Sequence, residues 1–252
     1  MFGLRNFSGS CWVNACLQSV FRIPEIQKRY TEPDFAPVNE IDEAMYTLWN
    51  KKGEGLPRFF EVIRTDMMPA GTSIGDSHEL FVYLCDKLPF LDELCRFKIA
   101  DSITCNSCRH QQLKQDLVTE FSLSSTGNRV PISDCIMNTV TPHVITDWKC
   151  DECKASGCTK QQLIGSFPKV MVFHMVTTDA SVDYSSILSL NKNKYALLSV
   201  CCYNGSHWWT YGRDAVGSSW FTLDDGRVDE HGPKEFPLSG KMRLLFYYRL
   251  EN

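Results

Sequence analysis

Two Cys-x-x-Cys pairs, Cys105-Asn-Ser-Cys108 and Cys150-Asp-Glu-Cys153, constrain this chain more than any other feature. Each pair offers two thiolates from a tight turn. Two such turns brought together by a hairpin make the closed tetrahedral site of one structural zinc ion. The gap of roughly forty residues exceeds that of a simple zinc ribbon, so a folded segment must lie between the knuckles. The stretch from Leu113 to His143 suits this, with Leu117, Val118, Phe121, Leu123, Val130 and Ile132 reading as strands. His110 and Cys158 are alternative ligands. A redox pair would want a helix directly after each Cys-x-x-Cys.

The other eight of the twelve cysteines do not suggest a disulfide framework. The opening, Met1 to Phe21, has one lone Arg, polar interruptions and no small-residue cleavage site, which is not the pattern of a secretory signal. Cysteines in a reducing compartment bind metal or catalyse more often than they cross-link. A cytoplasmic or nuclear location, or both, is therefore expected. A net charge of −4 over 252 residues lacks the basic excess of a nucleic-acid binder. No apolar run approaches the length needed to span a bilayer as a helix. The expected partner set therefore contains no nucleic acid and no membrane.

The first hundred or so residues read as helical. Val13, Leu17, Val20 and Phe21 recur at helical spacing until Pro24, and Leu80, Phe81, Leu84, Cys85 and Leu88 form one stripe that Pro89 stops. Asp42 to Trp49 and Leu56 to Arg64 are weaker helical stretches. From Phe97 onward the pattern turns to strands: Lys169 to Met175, Tyr195 to Tyr203, Trp208 to Tyr211, Trp220 to Leu223 and Met242 to Arg249. Asn204-Gly205 and Asp225-Gly226 supply turns between them. The last third is expected to be an antiparallel sheet, and the whole a single α+β unit without repeats or linkers.

Cys11 opens the first helix, where the positive end of the helix dipole favours a thiolate, and Gly9 and Ser10 leave room for a substrate carbonyl. Cys16, deeper in the same helix, reads as a small buried hydrophobe. A reactive thiol needs a base. His207 follows the tight turn Asn204-Gly205-Ser206, and Asp224-Asp225 ends the next strand, where a carboxylate can fix the imidazole tautomer. On spacing alone, a buried histidine beside a solvated Asp-Asp turn is the commoner arrangement.

Six segments in order resemble the ubiquitin-specific proteases. Gly3-Leu4-Arg5-Asn6 with Cys11-Trp12-Val13-Asn14-Ala15-Cys16-Leu17-Gln18 resembles the family's Cys box, G-L-x-N-x-G-N-T-C-Y-x-N-x-x-L-Q. Gly205-Ser206-His207-Trp208 with Trp220, Asp224-Asp225 and Val228 is similar to its His box. Gly75-Asp76-Ser77-His78-Glu79-Leu80 is similar to Q-D-A-H-E-F, and the two knuckles match the tip of the family's Fingers. Phe167-Pro168-Lys169-Val170 and Leu245-Phe246-Tyr247-Tyr248-Arg249 match two further strands.

The resemblance implies a papain-like cysteine protease, with a helical Thumb at about 1–97, zinc-bearing Fingers at about 98–166 and an antiparallel Palm at about 167–252. It implies thiol-dependent hydrolysis of the isopeptide or peptide bond after the C-terminal glycine of ubiquitin. Cys11 would be the nucleophile, His207 the base and Asp224 its orienting acid, with Asp225 a second candidate. Asn6 takes the oxyanion-hole position. Asp76 and Glu79 match residues that grip arginines in ubiquitin's tail, although an N-cap aspartate on a solvated helix start explains the same pattern. Trp208 joins them as a substrate-binding candidate, whereas His78 reads as packing. Ubiquitin or a ubiquitin-like protein, with its conjugates, is the expected partner, and a monomer the expected state.

Several positions depart from the family pattern. Ser8 and Gly9 replace Gly-Asn, Trp12 replaces Tyr, and His174-Met175-Val176-Thr177 stands where the family reads H-L-K-R-F. Gly75 replaces a frequent Gln, which is expected to loosen contacts near the active site. These departures keep alternatives open: a protease for SUMO or an interferon-induced modifier, a virus-type papain-like protease, or an inactive ubiquitin-binding scaffold.

Overall fold

Six helices precede the first strand in the computed structural model, which describes residues 1–7, 9–68, 75–125, 130–176, 182–234 and 241–251. They are α1 (Cys11–Val20), α2 (Pro24–Thr31), α3 (Glu40–Asn50), α4 (Leu56–Met67), α5 (Ser77–Lys87) and α6 (Pro89–Cys95). Pro24 and Pro89, expected to stop helices, also begin α2 and α6. At a first helical position the missing N–H costs nothing and the ring fixes a helical φ. Asn39 caps α3 by accepting from the Asp42 N–H at 3.0 Å, and Asp76 caps α5 by accepting from the His78 N–H at 2.6 Å. All residues of α1 are buried, so its polar side chains need partners: Gln18 donates to the Phe2 carbonyl at 2.7 Å, and Ser19 pairs with Thr210 at 3.2 Å.

The chain then enters a long hairpin, β1 (Phe97–Cys105) and β2 (Gln111–Val118), followed by β3 (Phe121–Leu123), β4 (Val130–Pro131), α7 (Ile132–Val140), β5 (His143–Lys149) and β6 (Ser156–Ile164). Ile132, expected in a strand, instead opens α7. Ile132, Cys135 and Ile136 are its buried residues, a spacing of three and four that suits a helix and not a strand. Strands β2, β1, β6 and β5 make a four-stranded antiparallel sheet in that order, with Cys105 directly opposite Cys158.

The remaining strands are β7 (Val170–Met175), β8 (Val182–Asp183), β9 (Ile187–Leu190), β10 (Asn193–Tyr203), β11 (Trp208–Gly212), β12 (Trp220–Asp224), β13 (Arg227–His231) and β14 (Lys241–Arg249). The large sheet runs β13-β12-β11-β10-β14-β7-β3, with β9 added on β10, and β8 pairs with β4. It is antiparallel except at its edge, where β3 joins β7 in parallel from outside the last third of the chain. Its central strands are buried on both faces. Along β7 and β14, Val170, Val172, Leu244 and Phe246 pack under the helical lobe, while Met171, Phe173, Leu245 and Tyr247 join Phe121, Ile132 and Cys135 in a second core. Both faces being covered explains why these strands read as continuous apolar runs. No described helix is long and apolar enough to cross a membrane.

Candidate active site

Two turns aim the polar groups of the site. Between β10 and β11, the Asn204 side-chain oxygen accepts from the N–H groups of Ser206 and His207 at 3.0 and 2.9 Å. Gly205 takes the positive φ of 102° that this turn requires. Between β12 and β13, Asp225 takes the left-handed φ of 52° that an Asp-Gly turn allows. As a result the His207 ring meets Asp224, with Nε2 to Oδ1 at 2.6 Å, and the nearer oxygen of Asp225 stands 3.9 Å from the same nitrogen.

The two adjacent carboxylates thus divide their work. Asp224 partners the imidazole. Asp225 staples the N-terminal segment to the sheet: Oδ1 accepts from Asn14 at 2.7 Å, Oδ2 from Asn6 at 2.8 Å, and its backbone carbonyl from the Leu4 N–H at 2.8 Å. The approach is tight, since a Cβ on Gly3 would fall 2.4 Å from the Gly226 carbonyl oxygen. Asn6 is held at both ends. Its Oδ1 accepts from the Gly9 and Ser10 N–H groups at 3.1 Å each, and one proton of its NH2 remains after the bond to Asp225. Asn14 was not singled out from the sequence, although it lies three residues after Cys11 and so one turn along the same helical face.

Cys11 sits at the N-terminus of α1 and is mostly buried. Its thiol was expected to be shifted toward the thiolate by the helix dipole. Burial outweighs that effect and holds the pKa above the ordinary value, and the Asp225 carboxylate raises it further. The backbone N–H of Trp208 is the largest opposing influence, followed by the helix-start amides of Trp12 and Cys11. The sulfur therefore lies against the residue that follows His207. Among the described residues the thiol and the imidazole share no hydrogen bond.

A cleft of about 480 Å³ opens over the sulfur, lined by Gly9, Cys11, Trp12, Gly75, Asp76, Tyr203, Gly205, Ser206 and Trp208. Trp208 is buried and stacks on Tyr203 at 4.4 Å between ring centroids, so its ring serves packing as well as the cleft wall. Asp76 reaches the cleft while capping α5 and facing Arg243 at 3.6 Å. Glu79 points to solvent from the first turn of α5 and is not part of the lining. Gly75 does not loosen the site. A Cβ there would fall 2.7 Å from the Trp12 ring, so the indole that replaces the family's Tyr occupies the room a side chain at 75 would take. Ser8 and Thr177, two of the departures named from the sequence, lie outside the described residues.

At the far end of the four-stranded sheet, Cys105, Cys108, Cys150 and Cys153 bring their sulfurs within 4.8 Å of one another. Cys105 to Cys153 and Cys108 to Cys150 are both 3.7 Å. A tetrahedral ion with bonds of about 2.3 Å demands sulfur separations of about 3.8 Å, so the four residues fit a metal ion. Cys105 and Cys108 are shifted in opposite directions, as expected of neighbouring thiols that titrate together. Amide hydrogens led by that of Cys108 bring Cys105 down to about 6. The His110 N–H pulls Cys108 down, but hydrogen bonding with Cys153, desolvation and the other thiols push it up to about 12. His110 and Cys158 are not members of the group.

A helical lobe, a sheet buried on both faces and a four-cysteine extension, with a thiol at a buried helix start beside a His–Asp pair, define a papain-like Thumb–Palm–Fingers fold. A family profile described as ubiquitin carboxyl-terminal hydrolase (UCH) matches residues 2–247, and the chain belongs to that family. Probable ubiquitin carboxyl-terminal hydrolase 8 of Schizosaccharomyces pombe is 23% identical over 294 residues, covering 98% of this chain and 64% of that protein. Ubiquitin carboxyl-terminal hydrolase 2 of Gallus gallus is 26% identical over 180 residues, covering 60% and 50%. The chain thus spans half to about two thirds of the length of these curated relatives. Among solved structures, the SAGA DUB module Ubp8/Sgf11/Sus1/Sgf73 bound to monoubiquitin matches with a TM-score of 0.85 at 16% identity, covering 100% of this chain and 69% of the other. The same module bound to ubiquitin aldehyde matches at 0.83 and 16%, covering 100% and 70%.

Proposed function

We propose that this chain is a thiol-dependent deubiquitinase that hydrolyses the peptide or isopeptide bond after the C-terminal glycine of ubiquitin. The observation that carries the reading is the 2.6 Å pair of His207 Nε2 with Asp224, set on a turn whose next residue presents its N–H to the Cys11 sulfur. With Nε2 committed to Asp224, Nδ1 is the nitrogen left to accept the thiol proton. Cys11 attacks the glycine carbonyl carbon, and the spare N–H of Asn6 with the Cys11 backbone N–H stabilises the oxyanion. His207 returns the proton to the departing amine. Water, deprotonated by His207, then releases the acyl group from sulfur. Because the resting thiol is held protonated by burial, the Cys11–His207 contact is expected to tighten when substrate fills the cleft. Asp225 is assigned to positioning Asn6 and Asn14, and Asp76 and Trp208 to the wall of the channel for the substrate's tail, with Glu79 on the solvent side of that wall.

The family relation and the neighbours' bound monoubiquitin and ubiquitin aldehyde support ubiquitin as the substrate. They do not favour the virus-type or scaffold readings. The four cysteines would hold one zinc ion, whose contribution is structural: a closed four-thiolate site braces the tip of the extension. The expectation of a monomer finds no support, since the solved neighbours are described together with Sgf11, Sus1 and Sgf73. A cytoplasmic or nuclear location remains part of the proposal. The test is ubiquitin carrying a C-terminal electrophile. A covalent adduct that disappears in Cys11→Ala is the expected result. Reversible binding without an adduct would establish the scaffold, and labelling only by a SUMO-type or interferon-induced modifier probe would overturn the substrate.

A further inference from the structure

Away from the cleft, three chemistry-bearing side chains from three parts of the fold converge: His78 on α5, Glu120 just before β3, and His174 on β7. One ring nitrogen from each histidine and one carboxylate oxygen lie within 4.8 Å of one another. His78 Nε2 is 3.5 Å from Glu120 Oε1, and the two imidazoles stack at 3.6 Å between centroids with planes 10° apart. His174 is 9% exposed, and its Nε2 and that of His78 are both buried without a hydrogen-bond partner. A buried imidazole nitrogen with no partner, and a second whose polar neighbour is the Glu120 oxygen at 3.5 Å outside hydrogen-bond geometry, are costly as pure packing, because a polar group removed from water needs compensation.

The surrounding bonds fix which atoms are available. The Ser122 hydroxyl donates to Glu120 at 3.2 Å and stands 3.5 Å from His174 Nδ1. A proton on Nδ1 therefore points at Ser122 Oγ, leaving Nε2 with its lone pair free in the ring plane. A histidine whose other nitrogen is held by a polar neighbour that also holds a carboxylate is the arrangement that orients metal ligands. Asp76 and Arg243 stand close by as an ion pair at 3.6 Å and offset one another, so Glu120 is the uncompensated charge of the cluster. The side chains of His78 and Glu120 are 21% and 19% exposed, so an ion has a way in.

We propose that His78, Glu120 and His174 bind a divalent transition-metal ion of the zinc class, through one imidazole nitrogen each and a carboxylate oxygen, with water completing the tetrahedron. A His2Glu set with a fourth position is one that zinc accepts. Bonds of about 2.0–2.1 Å require ligand separations near 3.4 Å; the His78–Glu120 pair is already at 3.5 Å, so the other separations close from within 4.8 Å and the stacked rings tilt to bring both planes onto the ion. The ion would clamp the helical lobe, the central sheet and the base of the four-cysteine extension together. Asp76, two residues before His78, lines the cleft, so the clamp would also hold one cleft wall.

The experiment is titration of the whole chain, with zinc already supplied to the cysteines, by Co2+ under optical absorption. The expected result is one further equivalent bound with ligand-field bands and no thiolate-to-cobalt charge transfer. Its affinity should fall at least tenfold in Glu120→Gln and in His78→Gln, both partly exposed positions where folding is checked by circular dichroism. Absence of that equivalent, or equal binding by wild type and both folded variants, overturns the proposal. The readout is metal binding and does not depend on the deubiquitinase reading.

Discussion

The Asp225 carboxylate meets the Asn14 side-chain amide at 2.7 Å, joining the β12–β13 turn to the buried helix that begins with Cys11. One aspartate in a left-handed turn thereby sets the distance between the part of the chain that carries the thiol and the part that carries His207. Replacing Asp225 by Ala leaves one side-chain N–H of Asn14 and one of Asn6 without its acceptor, while Asn14 keeps its bond to the Leu4 carbonyl. The expected loss is about 1–3 kcal/mol of stability, with a fall in kcat/KM of tenfold or more that resides mainly in kcat. Asn14→Ala should share part of this loss. A double-mutant cycle should show coupling of about 0.5–3 kcal/mol, and strict additivity would show that the contact carries no energy.

Asp224 and Asp225 are adjacent but not equivalent. Asp224→Ala should lower kcat/KM on the order of 10²-fold or more, because the imidazole loses the partner that fixes its tautomer. Asp225 is 3.9 Å from the same nitrogen and can take up some of that role. The double substitution should therefore lose more activity than Asp224→Ala. Equal activities of the single and double variants would remove Asp225 from the catalytic geometry.

Free Cys11 should be sluggish toward alkylating agents at neutral pH. Its folded-state pKa is raised, first by burial, so its thiolate fraction grows about tenfold per pH unit until the pH passes that value. The linkage sign follows: this thiol favours the folded state below the unfolded cysteine pKa, and the contribution disappears as the pH rises through the folded one. Iodoacetamide kinetics against pH, with Cys11→Ala subtracted, should give a midpoint above that of an unperturbed cysteine. A midpoint below it would show a preformed ion pair in the resting protein.

Trp12 and Gly75 form a size-matched pair. Gly75→Ala should destabilise by about 1–3 kcal/mol, the usual cost of forcing atoms into filled space. The smaller ring of Trp12→Tyr should reduce that penalty. Denaturant midpoints of the two single variants and the double variant measure it, and an unchanged penalty in the Tyr background would show that the indole is not what excludes the side chain.

Cys150→Ser should empty the four-cysteine site. The expected loss is about one zinc per chain by elemental analysis, with early proteolysis between β1 and β6 and little change in the helical lobe, since a structural zinc carries folding free energy for the segment around it. A variant that keeps the same metal content would place the ion elsewhere.

Much of the candidate site could be read from residue order. Cys11, His207 and Asp224 stand out because nucleophile, base and acid chemistry need those residue types, and Gly205 and Gly226 mark the turns beside them. Elements were harder where signals conflict. Pro24 and Pro89 read as stops because proline ends one helix as readily as it begins the next, and Ile132 read as a strand because its window is short and β-branched. The roles of Asp225 and Asn14 were not legible. The resemblance ranked Asp225 second to Asp224, but the bonds that give Asp225 its own work reach Asn6 and Asn14, more than two hundred residues away in the chain.

By itself the sequence determined the candidate reacting groups, the four cysteines that fit a metal ion and the apolar strands that must be covered on both faces. These follow from side-chain chemistry and local periodicity, which travel with the residues. Only the tertiary structure decided that Asp225 ties down Asn6 and Asn14 beside the Asp224–His207 pair, that burial outweighs the helix start at Cys11, and that His78 and His174 stack beside Glu120. Each of these depends on distance and desolvation between segments far apart in the chain, and neither quantity exists until the chain has folded.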